Sequence, residues 1–222
     1  MSRIVDPDRI LALAYAPADR REALAALFRL DETLGQTLRG ARDPLLAQMR
    51  LTWWHEALSD LGDGPAPANP ALAALIGAGI VPSLVLGSRL AAMVEGWEAL
   101  LEEPADAAAL DRYASERGGV LFGIGAAILG GDHEALAAAG AGWALADLAR
   151  HSSEPSLAER ALTAARPRLA RAMTSRWPVR LRSLGALAAV ASRDAKGNAG
   201  ALQPAGHPAR MLRALRHRLT GR

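Results

Sequence analysis

Residues 21–34 read Arg21-Glu22-Ala23-Leu24-Ala25-Ala26-Leu27-Phe28-Arg29-Leu30-Asp31-Glu32-Thr33-Leu34. Leu24, Leu27, Phe28, Leu30 and Leu34 recur at threes and fours, the period of a helix with one buried face. In the next segment Leu45, Met49, Trp53 and Leu58 also recur at a helical spacing. Outward from these two segments no stretch alternates convincingly as a strand, so the fold class predicted is all-α.

Helix starts punctuate the chain. Asp6-Pro7, Asp43-Pro44 and Asn69-Pro70 each set a capping residue before a proline at the first helical position, where the missing N–H costs nothing. Pro17, Pro82 and Pro104 give weaker signals, and Asp132 follows Gly130-Gly131 as another cap. The predicted helices are 7–16, 18–39, 44–61, 70–79, 83–103, 107–130, 133–151, 155–174, 176–191 and 208–220. Neither linker, 62–70 or 192–208, demands a second domain, so residues 1–222 are expected to form one domain.

Composition agrees with this reading. Of 222 residues 50 are Ala and 35 Leu, against nine aromatics, which favours helices over strands. The absence of cysteine excludes disulfide scaffolds, thiol nucleophiles and thiolate metal centres. The net charge of +3 conceals a division: residues 1–154 carry 12 basic and 21 acidic side chains, whereas 155–222 carry 14 basic and two acidic, Glu159 and Asp194. An Arg-rich last third beginning near 155 suits an anionic partner. Nucleic acid is the poorest candidate, because Trp177 is the one aromatic residue there available for base stacking. The charged opening Met1–Arg9 lacks the apolar run of a signal peptide, and Pro and Gly interrupt the uncharged stretch 64–88. The expected location is cytoplasmic, either free or peripheral at the inner face of a membrane.

Carboxylates one helical turn apart can share a hard cation. Glu56 with Asp60 and Glu98 with Glu102 have that spacing, but other acids surround them, as on a solvated face. Asp147, with His151 at i+4, sits among apolar neighbours and is therefore expected either to be buried against Arg150 or to point into a cavity. His55, His133, His207 and His217 show no metal-site spacing. Gly118-Gly119 and Gly123-x-Gly125 lie inside an apolar helical stretch and suit close helix packing rather than phosphate binding. Trp53 and Trp54 point about 100° apart, so they cannot share one core face.

Several segments together resemble the squalene/phytoene synthase family: Asp6-Pro7-Asp8-Arg9 with Tyr15-Ala16-Pro17, Arg29-Leu30-Asp31-Glu32, Arg50-Leu51-Thr52-Trp53-Trp54-His55-Glu56-Ala57-Leu58, Tyr113 to Gly119, and Trp143 to Arg150. The resemblance implies an isoprenoid-synthase bundle of the trans-prenyltransferase type, about nine or ten helices around a central cavity. Active members condense two prenyl diphosphates head to head with Mg²⁺ held by two Asp-x-x-x-Asp motifs. Here Asp31 is followed at i+4 by Gly35, and the second pair of aspartates falls on His151 and Pro155.

The resemblance then implies a diphosphate or Mg²⁺ region at Asp31, Glu32, Asp147, Arg150 and Glu154, with Asp31, Asp147 and His151 as candidate metal ligands. The Arg-Leu-x-Trp-Trp-x-Glu-Ala-Leu segment is most similar to a branch with eroded motifs, typified by a mitochondrial assembly factor for respiratory complex I. Two expectations follow. One is a catalytically degenerate member that needs no cofactor and binds a lipid or a protein partner at or near a membrane, with residues 208–220 facing an anionic surface. The other is an active Mg²⁺-dependent transferase acting on prenyl diphosphates with unusual ligands.

Overall fold

The computed structural model describes residues 4–41, 43–102 and 105–222. Helices begin where a capping residue precedes proline. Asp6, Asp43 and Asn69 accept backbone N–H bonds from Asp8, Leu45 and Ala71, starting α1 (Pro7–Tyr15), α3 (Pro44–Ser59) and α4 (Pro70–Gly77). Between the first two, α2 (Arg21–Arg39) starts three residues later than predicted, after a turn at 18–20. α5 (Gly87–Glu98) is shorter than the predicted 83–103 and ends in a 3₁₀ turn, Ala99–Leu101; Glu103 and Pro104 lie outside the described residues.

The predicted 107–130 helix is one rod with a change of pitch. α6 (Ala107–Arg112) passes into a π-helical segment, Tyr113–Gly119, and on into α7 (Val120–Leu129). α8 (Leu136–His151), α9 (Pro155–Ala172), α10 (Arg182–Asp194) and α11 (Pro208–Thr220) complete the chain, and no strand occurs among the described residues. Counting the α6–α7 rod once gives ten helical rods among the described residues, within the predicted nine or ten.

α8 is the central rod, packed against α9, the π segment, α10 and α7. Eleven of its sixteen residues are buried. Gly118 and Gly140 let the π segment and α8 touch backbone to backbone: a Cβ on Gly118 would stand 2.1 Å from the Gly140 carbonyl oxygen. This is the close helix packing expected of the Gly118-Gly119 run, and it sets how near Arg117 comes to Asp147.

α3 buries only part of its apolar surface. Leu58 is buried, but Leu45, Met49 and Trp53 are 62%, 62% and 42% exposed. The buried face instead carries Ala47, Leu51, Trp54, Ala57 and Leu58, a second apolar stripe with an equally helical period.

Candidate functional site

Asp31 lies on α2 at full burial, and Asp147 on α8 is nearly as enclosed. Burial alone would neutralise both. What keeps them ionised is Arg117, itself 1% exposed, which the π segment delivers between them. Its Nε and Nη2 donate to Oδ1 and Oδ2 of Asp31 at 2.8 and 2.7 Å, a two-pronged pair, and the same Nη2 donates to Asp147 Oδ2 at 2.7 Å. Arg9 of α1 adds a bond to Asp31 Oδ2 at 2.6 Å and another to the Phe28 carbonyl. His151 completes the set, its Nδ1 lying 3.3 Å from Asp147 Oδ1.

Aromatic faces enclose the guanidiniums. The Cζ of Arg117 lies 4.2 Å from the ring centre of Trp97 and 4.9 Å from that of Trp143, and Arg9 sits over Trp143 at 5.1 Å. Tyr113, one turn before Arg117, accepts from its Nη1.

The titration of the cluster follows. Burial pushes the Asp31 carboxyl up, but the Arg117 and Arg9 guanidiniums outweigh it and hold it below the usual carboxylate range. For Asp147 burial is likewise overcome, by Arg117, the His151 hydrogen bond and Arg9, and its carboxyl lies far below that range. The hydrogen bond to Asp147 raises His151 against its own partial burial. Asp6 and Glu32, desolvated with less compensation, are raised.

A cavity of about 290 Å³ opens beside this cluster, lined by charged groups that include Asp6, Arg9, Glu32, Arg39, Arg150 and His151. Arg39 lies across Gly35, where the family pattern has its second acid. A Cβ on Gly35 would stand 3.0 Å from Arg39 Nη1 and 3.0 Å from Trp97 Cη2. A guanidinium therefore lies at each first-motif carboxylate position, the retained one and the lost one.

The candidate residues divide as follows. Asp31, Glu32, Asp147, Arg150 and His151 all line the one cavity, but Glu154 is exposed at the start of α9 and paired with Ser156. Asp147 is buried against Arg117, not Arg150. Arg150 points the other way, to Asp194 Oδ2 and the Gln203 carbonyl, both at 2.7 Å. Glu56 and Asp60 are exposed, and Glu102 pairs with Arg112 on the surface. His133 stacks on Trp177 and His207 caps α11, while His55 meets Glu95.

Arg117 escaped the sequence reading, although one signal was available: a lone cation between Tyr113 and the uncharged run from Gly118 to Gly131. Such a charge, facing a bundle interior, needs a buried acid.

Magnesium requires near-octahedral oxygen donors at about 2.0–2.1 Å. The facing oxygens of Asp31 and Asp147 are already bonded to one guanidinium nitrogen, and among the described residues no group of three or more His, Asp or Glu is placed to hold a metal ion. The arrangement does not fit that ion.

The all-helical bundle, with Asp31 and Asp147 facing each other through Arg117, has the isoprenoid-synthase fold. Accordingly, the chain superposes on the crystal structure of a dehydrosqualene synthase in complex with ligand, with a TM-score of 0.67 and 13% sequence identity, over 96% of this chain and 90% of that one. The chain belongs to the squalene/phytoene synthase family, whose family model matches residues 2–160. Among curated proteins none matches.

Proposed function

We propose that this chain is a catalytically degenerate squalene/phytoene synthase-family protein that keeps the bundle and acts by binding a lipid or a protein partner, as an assembly-type factor of the kind its Arg-Leu-x-Trp-Trp segment resembles. One observation carries the reading: the Arg117 guanidinium stands between Asp31 and Asp147, where a bridging cation would have to be. Departure of an enclosed arginine with four hydrogen bonds, three of them to carboxylates, would leave Asp31 with Arg9 alone and Asp147 with His151 alone, at a cost of several kcal/mol. The cavity's size supports the same reading, since about 290 Å³ lies at the low end for small-ligand sites, whereas head-to-head condensation must house two prenyl chains.

The competing reading, an active Mg²⁺-dependent prenyl transferase, draws on the convergence of Asp31, Glu32, Asp147 and His151 on one cavity. Incubation of the purified chain with Mg²⁺ and farnesyl or geranylgeranyl diphosphate separates the two. No diphosphate release is expected. Release that Asp147→Ala abolishes would sink the degenerate reading.

A further inference from the structure

The last helix presents its apolar stripe outward. On α11 Met211, Leu212, Leu215 and Leu219 are 49%, 67%, 42% and 68% exposed, while Arg210, Ala214 and His217 are the residues buried against the rest of the bundle. At about 100° per residue the four apolar side chains fall within an arc of about 100°, with Arg218 at one border and Arg216 at the other. An exposed apolar stripe of this size, bordered by cations, does not suit bulk water. It suits the boundary between headgroups and acyl chains, where the apolar arc enters and the flanking arginines meet phosphate.

The surroundings share this character. From Ala195 to Arg222 the chain carries no acidic residue. The segment Arg176–Arg182 is joined to the end of α11, Arg176 Nε donating to the Thr220 carbonyl at 2.9 Å, and it adds the exposed Val179 and Arg180. The helix is also firmly mounted. Arg210 donates to Asp194 at 2.6 Å and pairs with Asp8, and Arg182 donates to the Arg218 and Leu219 carbonyls.

We propose that the outer face of α11 is a docking surface for an anionic lipid bilayer. A second copy of the chain is a poorer occupant, because a symmetric contact would set Arg216 and Arg218 against their own equivalents. The inference names the partner surface of the proposed binding protein, but it does not rest on the state of the cavity. An active transferase would dock in the same way, so failure here and diphosphate release above are separate results.

The test is co-sedimentation of the full chain with vesicles of pure phosphatidylcholine and with vesicles containing 30% phosphatidylglycerol, at low salt and at 0.5 M NaCl. Binding is expected on the anionic vesicles alone, weakened by salt. The triple variant Leu212→Ser, Leu215→Ser, Leu219→Ser and the double variant Arg216→Gln, Arg218→Gln should each lower partitioning about tenfold or more while keeping the helical circular dichroism of the parent. Three results would overturn the proposal: no binding by the parent chain, equal binding by both variants, or a dimer in sedimentation velocity that the serine variant converts to monomer.

Discussion

The Arg39 guanidinium lies over the bare α-carbon of Gly35, with Nη1 and Nη2 3.0 and 3.1 Å from where a Cβ would stand. A carboxylate restored by Gly35→Asp would therefore meet a cation already in place. The substitution should create no Mg²⁺ site, because its charge is taken up by Arg39 and its Cβ crowds Trp97. Isothermal titration with MgCl₂ is expected to stay flat, and stability to fall by about 1–3 kcal/mol. Millimolar or tighter Mg²⁺ binding by this variant would show that the first motif is one residue from recovery.

Arg117→Met removes the bridge and leaves Asp31 and Asp147 enclosed without it. The expected loss is about 3–5 kcal/mol in urea unfolding. Adding Asp147→Asn should restore part of it, since Asp147 then has only His151 as a partner whereas Asp31 is still held by Arg9. If the double variant is less stable than Arg117→Met, the bridge is not what balances the cluster.

The acid limb of stability follows from the two depressed carboxyls. Asp31 and Asp147 bind a proton more readily in the unfolded chain, near pH 3.9, than in the fold. Their contribution is present above about pH 4 and lost as pH falls toward their lower folded values. Asp147→Asn should therefore flatten the stability profile below about pH 4.

Two histidines act in opposite directions above that. His217, fully buried with both ring nitrogens unpartnered among the described residues, is pushed down to about 4 by burial and by Arg182 and Arg213. Acidification from about 6.5 toward 4 protonates the unfolded chain first and weakens the fold. His151 is raised by Asp147, so its contribution is present below about 6.5 and lost as pH rises through its folded value. Urea midpoints between pH 4 and 8 should flatten on the acid side for His217→Phe and on the alkaline side for His151→Asn.

Trp53 is 42% exposed, whereas Trp54, Trp97, Trp143 and Trp177 are 6% or less. Iodide should quench a minor part of the tryptophan emission, and Trp53→Phe should remove that part. Extensive quenching remaining in the variant would contradict the orientation of α3.

That orientation marks where sequence reading reaches its limit. The Asp-Pro and Asn-Pro starts were legible because a cap and a proline act locally. The burial of α3 was not, because Leu45-Met49-Trp53 and Leu51-Trp54-Leu58 are both helical stripes and only the neighbours α2 and α5 select between them. The cavity-lining acids Asp31, Glu32 and Asp147 could be named from their pattern. Their partners could not, since Arg9 and Arg117 are 22 and 86 residues from Asp31 and converge only through packing. Likewise Arg150 was close enough in sequence to pair with Asp147, yet the fold turns it to Asp194.

The bridging guanidinium also alters how this centre depends on its surroundings. A carboxylate pair filled by dissolved ions changes occupancy whenever their concentration changes, and a chelator can strip it. Here the counter-cation is covalently part of the polypeptide and arrives when the chain folds. The share of the charge balance between α2 and α8 that Arg117 supplies therefore comes with the fold itself.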